Sequence, residues 1–452
     1  MDKNKLFVWS VVAALAGFIF GFDTVVISGA NLPIKELWTK GLSPWFHGFF
    51  IMSMALWGTL FGALFGGIPT QRYGRKKVLL WTGILFTVSA FGTALAPDPY
   101  TFSFFRFLGG IGIGVSSVVA PTYISEISTP ALRGRLVALY QFNIVFGILI
   151  AFLSNYLLEG VGGASDWRWM LGVLAVPSVV YTILVPSLPE SPRWLISRKQ
   201  DIEGARRIME RIGVENIPAE VQAILDAGQQ RHPAAAQNSF IDKRYTRILS
   251  LAFLIAFFNQ LSGINFILYY APEILQKARL AEKESLLNSI YIGGTNLLFT
   301  FVGLYLIDRL GRKTLLLLGS VGYIISLSMV AYCFYAGSDP LVLLGFLLLF
   351  IASHAIGQGA VIWVFIAEIF PNKIRAMGQS FGASVHWVFA AIITLITPVF
   401  LDADEGLLKD DPWIIFAFFA GMMVLQLIWV LARVPETKGV SLEQLEQQLI
   451  QE

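Results

Sequence analysis

Apolar residues in this chain run in long, nearly unbroken stretches. They follow neither the strict alternation of a half-buried strand nor the narrow stripe of a water-facing helix. A helix needs about 20 apolar residues to cross the hydrocarbon of a bilayer. Twelve stretches meet that length, at roughly 6–30, 47–69, 78–96, 101–124, 136–158, 169–187, 248–271, 287–307, 314–335, 341–369, 379–400 and 412–432. The pattern predicts an all-α membrane protein with twelve transmembrane helices. The first stretch is long and Gly-rich with no small-residue cleavage site after it, so it is expected to be retained. Short polar loops separate the stretches, except at 188–247. That segment is charged and helix-friendly (QDIEGARRIMERIGVEN), which predicts short amphipathic helices at the membrane surface.

Composition agrees with the pattern. Of 452 residues, 56% are hydrophobic and 14% charged, whereas a soluble protein carries about 25% charged residues. The net charge of +3 gives no reason to expect nucleic acid as a partner. Cys333 is the only cysteine, which excludes an internal disulfide and a cysteine metal cluster. There are four histidines, and His232 falls in the charged central segment, so no metal and no cofactor are expected. Lys and Arg fix the orientation. Twelve crossings put both termini on one side, where 25 Lys and Arg fall, against 7 in the opposite loops. Both termini and the central segment are therefore expected to be cytoplasmic.

Three features of the first half recur in the second. QRYGRKK at Gln71–Lys77 matches DRLGRKT at Asp308–Thr314. Glu126 with Arg133 matches Glu368 with Arg375. Pro189-Glu190-Ser191 matches Pro435-Glu436-Thr437. The offsets of 237, 242 and 246 are nearly constant, which argues for duplication. The expected organisation is an N-terminal six-helix half at 1–187, a cytoplasmic helical linker at 188–247, a C-terminal six-helix half at 248–434 and a tail at 435–452. Duplicated halves with a mid-membrane binding site are transporter architecture.

The longer motifs carry a family resemblance over nearly the whole chain. GRKK at Gly74–Lys77, EISTPALRGR at Glu126–Arg135, PESPRW at Pro189–Trp194, NQLSGINFILYYAPEI at Asn259–Ile274, AEIFPNKIR at Ala367–Arg375 and VPETKG at Val434–Gly439 resemble the sugar porter family of the major facilitator superfamily. That group includes bacterial xylose/hexose–proton symporters and glucose facilitators. The chain departs from the family pattern in places. Gln71 stands for an acid, Asn259 for a glutamine, Gln358 and Ile362 for prolines, and His386 for an Asn or Gln.

Polar side chains in hydrocarbon are costly and mark functional positions. Amides suit sugar hydroxyls because each offers donor and acceptor, and an indole suits the C–H face of a sugar ring. Gln141, Asn259, Gln260, Asn265, Asn296, Trp363, His386 and Trp387 supply this chemistry. All but Asn259 and His386 fall where the resembling family lines its sugar site. Gln358 and His354 are two further candidates. Asp23 and Arg106 would each be expensive alone in lipid, so a pair is expected. The resemblance implies a proton-coupling role for them. It also implies a cytoplasmic gate of inter-half ion pairs among Arg72, Arg75, Glu126, Arg133, Glu190, Arg312, Glu368, Arg375 and Glu436. Ser262, Gly263, Tyr269 and Tyr270 resemble the hinge and plug of an outer gate.

The sequence reading is a monosaccharide–proton symporter working by alternating access in an inner (plasma) membrane. Its partners are the sugar, the proton and the lipid bilayer, and it is expected to act as a monomer. The alternatives are a passive uniporter of the same fold, with Asp23 structural, and a sugar-sensing receptor, which would be expected to carry a longer cytoplasmic tail. An enzyme would need a nucleophile, metal or acid/base cluster, and Asp23 has no second carboxylate in its neighbourhood of sequence.

Overall fold

The computed structural model describes residues 3–214, 216–229, 243–371, 374–440 and 442–451. Part of the expected linker, with His232, and Lys373 of the charge count therefore lie outside the described residues. Among the described residues, twelve helices are long and apolar enough to cross a membrane. They are α1 Lys5–Thr39, α2 Pro44–Phe65, α3 Arg75–Leu95, α4 Pro99–Ile127, α5 Leu132–Leu158, α6 Gly163–Ser187, α7 Thr246–Tyr269, α8 Glu282–Leu310, α9 Arg312–Ala336, α10 Pro340–Ile369, α11 Met377–Leu401 and α12 Trp413–Arg433. Each expected stretch has its helix. The main difference is α1, which continues past residue 30 through Pro33 and a wide turn at Lys35–Thr39. Its polar extension holds because Asn31 and Thr39 are buried and find partners, as described below.

The helices belong to two compact units. One comprises Met1–Thr24, Met54–Ala151 and Arg168–Ala235; the other comprises Val25–Ser53, Phe152–Trp167 and Ala236–Glu452. In the first unit, small residues let backbones touch, the means by which helices associate in lipid. A Cβ on Gly110 of α4 would sit 2.0 Å from the Ala55 carbonyl oxygen of α2, and one on Gly21 of α1 would sit 1.8 Å from that of Ile144 on α5. Short helices form within the polar segment 188–247. Ile202–Ile212 starts at Asp201, whose carboxylate accepts from the Gly204 N–H, and stops at Gly213 in the left-handed region. Ala205, Met209 and Ile212 pack with Val221 and Ile224 of Ile217–Gln229 and with Ile196.

The second unit holds residues 25–53 and 152–167, which precede the linker in sequence, together with α7–α12. Asn155 Nδ2 donates to the Val26 carbonyl, and Gly48 packs against the backbone of Leu395. Two of its helices are interrupted. At Gly263, φ is +85°, a value that favours glycine, and α7 restarts as Ile264–Tyr269. A second break at Tyr270 leads into Ala271–Lys277. In α10 the break falls at Gly357, between Pro340–Ile356 and Gln358–Ile369, although the family's prolines are missing. Close approach accounts for this glycine: a Cβ there would come within 2.8 Å of the Gly319 Cα.

Candidate functional site

In the first unit, α1 and α4 bring Asp23 and Arg106 together, as expected for two charges in hydrocarbon. The Arg106 Nη1 to Asp23 Oδ1 distance is 2.5 Å, and Nη2 also reaches the Asp23 carbonyl at 3.4 Å. Both residues are buried. The pair is incompletely satisfied: Asp23 Oδ2 and Arg106 Nε are buried without a hydrogen-bond partner. A buried charge pair is stabilising only when its remaining donors and acceptors are met. One direct contact joins the two charged groups. Gln141 lies half-buried on α5 in the same unit.

The second unit gathers most of the predicted sugar-binding set. Gln260 is the centre. Its Nε2 donates to Asn259 Oδ1 at 3.0 Å and lies 3.2 Å from the His386 ring, while its Oε1 accepts from Asn265 Nδ2 at 2.8 Å. The Gly263 break makes this possible, because it turns Asn265 back toward the turn that carries Gln260. His386 sits between two indoles, 5.0 Å from Trp363 and 4.9 Å from Trp387 by ring centroids. Trp363 is exposed and Trp387 buried. Amides, an imidazole and two indole faces thus form one patch. Asn296 is buried on α8, and among the described residues no hydrogen bond joins it to the patch. His354 instead meets the Tyr323 hydroxyl on α9 at 2.6 Å. Gln358, fully buried just after the α10 break, leaves both its amide oxygen and nitrogen without a partner.

The outer-gate residues sit at the α7 breaks. Ser262 Oγ donates to the Asn259 carbonyl and accepts from the Ile264 N–H, bridging the Gly263 turn. Tyr269 is buried, and the Tyr270 hydroxyl donates to the Thr394 carbonyl of α11.

At the basic ends of the helices the duplication becomes geometry. In the first unit Arg75 Nη2 pairs with Glu126 at 2.8 Å, and Glu190 accepts from the N–H groups of Arg75 and Lys76 at the start of α3. In the second, Arg312 Nη2 pairs with Glu368 at 2.7 Å, and Glu436 accepts from the N–H groups of Arg312 and Lys313 at the start of α9. Gly74 and Gly311 precede these starts with φ of +96° and +92°. A Cβ on either would lie 2.4 Å from a carboxylate oxygen of its glutamate. Ser191 and Thr437 donate to Glu126 and Glu368 in turn.

Among the described residues, the ion pairs at these helix ends form inside each unit, each glutamate drawn to the N–H groups and guanidinium of its own repeat. Arg72, Arg133 and Arg375 reach no carboxylate among the described residues. Arg72 lies over the Tyr73 ring, and Arg133 and Arg375 donate to the carbonyls of Ser125 and Phe370.

The sequence reading missed a polar cluster in the second unit. Asn31, His47 and Thr39 are buried, His47 bonds the other two, Asn31 reaches Glu273, and Lys35 pairs with Asp402 at 2.7 Å. The signal was present. Asn31 and His47 are polar residues in or beside apolar stretches, and Glu273 sits inside the quoted YYAPEI motif.

Twelve apolar helices, a duplicated pattern and a buried ion pair with an amide and indole patch define a multi-pass membrane transporter. Residues 9–449 match the family described as sugar (and other) transporter. The chain is 32% identical to the arabinose-proton symporter of Bacillus subtilis, covering 97% of this chain and 93% of the relative. It is 31% identical to the D-xylose-proton symporter of Escherichia coli, covering 98% and 96%. The inward-open structure of the xylose transporter from E. coli aligns with a TM-score of 0.85 at 29% identity, covering 98% of this chain and 99% of that one. The chain belongs to the sugar transporter family, as the motifs led one to expect, and is a transporter rather than an enzyme.

Proposed function

We propose that this chain imports a monosaccharide, a pentose or hexose, together with a proton, by alternating access across an inner (plasma) membrane with both termini in the cytoplasm. The observation that carries the reading is the buried Asp23–Arg106 pair, joined by one contact and left with an unpartnered oxygen and nitrogen. A carboxylate held this way has two stable forms: ionised on Arg106, or protonated when helices move the guanidinium away. That is the switch a proton-coupled carrier requires. Relatives named as proton symporters of arabinose and xylose support it.

The sugar is bound by Gln260, Asn259, Asn265 and His386, with the faces of Trp363 and Trp387 against the ring. Gln141, Asn296, Gln358 and His354 stand as further proposed contacts. Among these, the unpartnered amide of Gln358 is the one that gains most from a hydroxyl partner. The duplicated Arg–Glu networks brace the cytoplasmic helix ends, and Gly263 with Tyr269 and Tyr270 forms the outer gate. The working unit is a single chain in its bilayer. Proteoliposome uptake with an inward proton gradient, competed by a panel of unlabelled monosaccharides, tests the reading. Gradient-driven accumulation of a pentose or hexose is expected, and uptake indifferent to the gradient would make the protein a uniporter.

A further inference from the structure

Beyond the Gly263 break of α7, a directed chain of hydrogen bonds crosses the second unit. Asn31 Nδ2 donates to Glu273 Oε2 at 2.8 Å, so Asn31 Oδ1 must accept from His47 Nε2, 2.6 Å away. His47 Nδ1 lies 2.8 Å from Thr39 Oγ1, which also stands 3.4 Å from the Lys35 carbonyl. The polarity set by Asn31 puts a proton on His47 Nε2. The chain ties α1 and α2 to the segment Ala271–Lys277, which lies outside the membrane-spanning part of α7.

Glu273 is partly buried, and among the described residues no cation stands within ion-pair distance of its carboxylate. Lys35, the nearest candidate on α1, is engaged by Asp402 at 2.7 Å and Asp404 at 3.3 Å. Burial pushes the Glu273 carboxyl up to about 7, outweighing the pull of Lys277 on its own helix, of Lys35 and of the N–H donated by Asn31; Asp402 at the end of α11 raises it further. His47 faces it through Asn31 from α2. On α8, which packs alongside, Glu282 stands instead with Glu159 and Asp166.

We propose that Glu273 is a second proton-binding group of this carrier, neutral while Asn31 latches the outer gate and ionised when Ala271–Lys277 swings into water. The inference rests on the alternating-access reading above. On opening, the carboxyl O–H bond breaks and the proton passes to water on the outer side; on closing, it returns from the same side. The site therefore adds nothing to the transport stoichiometry and instead makes the outer gate sensitive to external pH. The sign follows from linkage. The closed form binds the proton more tightly, so its advantage is complete below the ordinary glutamate value, near 4.5, and is lost as pH rises through about 7.

The test is a distance measurement between nitroxides at Leu42→Cys, just before α2, and Arg279→Cys, just after Ala271–Lys277, both exposed positions. The background carries Cys333→Ala, and the sugar-free protein is held in lipid nanodiscs from pH 5 to 8. In the otherwise native protein, the long-distance population should grow relative to the short one by at least about tenfold, the change that one pKa unit supports. Glu273→Gln should hold the short distance at every pH. Asn31→Asp, which sets a second carboxylate beside the first, should move the midpoint to higher pH. A pH-independent distribution or a normal response in Glu273→Gln would each overturn the proposal. If distances respond to pH but proteoliposomes accumulate no sugar, the transport reading fails and the latch stands.

Discussion

Replacing Gln260 by alanine removes the hub of the amide patch and gives a magnitude the structure can supply. The truncation strips a partner from three neighbours: Asn259 Oδ1 at 3.0 Å, Asn265 Nδ2 at 2.8 Å and the His386 ring at 3.2 Å. Asn259 and Asn265 are buried, so water replaces the lost partner poorly. Part of that cost falls on the sugar-free protein as well and cancels in binding. What remains is the loss of the amide's own bonds to hydroxyls and of the pre-alignment of Asn265 and His386. At about 0.5–1.5 kcal/mol per hydrogen bond, the loss of affinity should be about 1–3 kcal/mol. That is roughly 5- to 150-fold in Kd at about 1.4 kcal/mol per decade. Isothermal titration of purified protein with the best sugar from the competition panel measures it. Gln426→Met is the matched control, because Gln426 is equally buried but bonds Ser320 across α12 and α9. It should change thermal stability and leave affinity intact. A Gln260→Ala protein that melts as a folded protein and binds with native affinity would refute the assignment.

Asp23→Asn should keep sugar exchange at equal pH and lose only gradient-driven accumulation, read by paired uptake in proteoliposomes; a surviving overshoot would remove Asp23 from coupling. Phe at both Trp363 and Trp387 should abolish the sugar-dependent fluorescence change and weaken binding, and an unchanged titration would place neither indole on the sugar. Gly74→Ala and Gly311→Ala each force a Cβ onto a glutamate oxygen at positive φ. Each should cost about 1–3 kcal/mol, seen as a drop in melting temperature in detergent, and equal melting to the native protein would contradict the capping geometry.

The twelve helices were legible because span length is a physical requirement of the bilayer. The Asp23–Arg106 pair was legible because neither charge could stand alone. Which arginines find carboxylates was not. Arg72 and Arg75 are equivalent on a sequence line, yet only Arg75 follows the left-handed turn at Gly74 that aims it at Glu126. Pairing depends on that backbone angle. The effect of a departure from pattern was not legible either. Gln71 replaces an acid, while its counterpart Asp308 still meets Arg312 at 3.3 Å; Gln71 instead offers its carbonyl to Trp194. Asn31 and His47 stood out as polar residues by apolar stretches, but their link to Glu273 was hidden because it lies 242 residues from Asn31.

The double interruption of α7 bears on how turnover responds to temperature. A continuous helix can bend only by breaking backbone bonds, at an enthalpy that makes the rate steep in temperature. Here Gly263 and Tyr270 have already ended two helical segments, and the Ile264 N–H rests on Ser262 Oγ at 3.3 Å rather than on a carbonyl four residues back. Ala271–Lys277 can pivot with its internal bonds intact. Opening then exchanges a few side-chain contacts, among them that of Tyr270 with the Thr394 carbonyl. The Arrhenius slope of sugar exchange should accordingly be shallow, and filling the Gly263 turn with a residue that restores continuous helix should steepen it before it lowers the rate at warm temperatures.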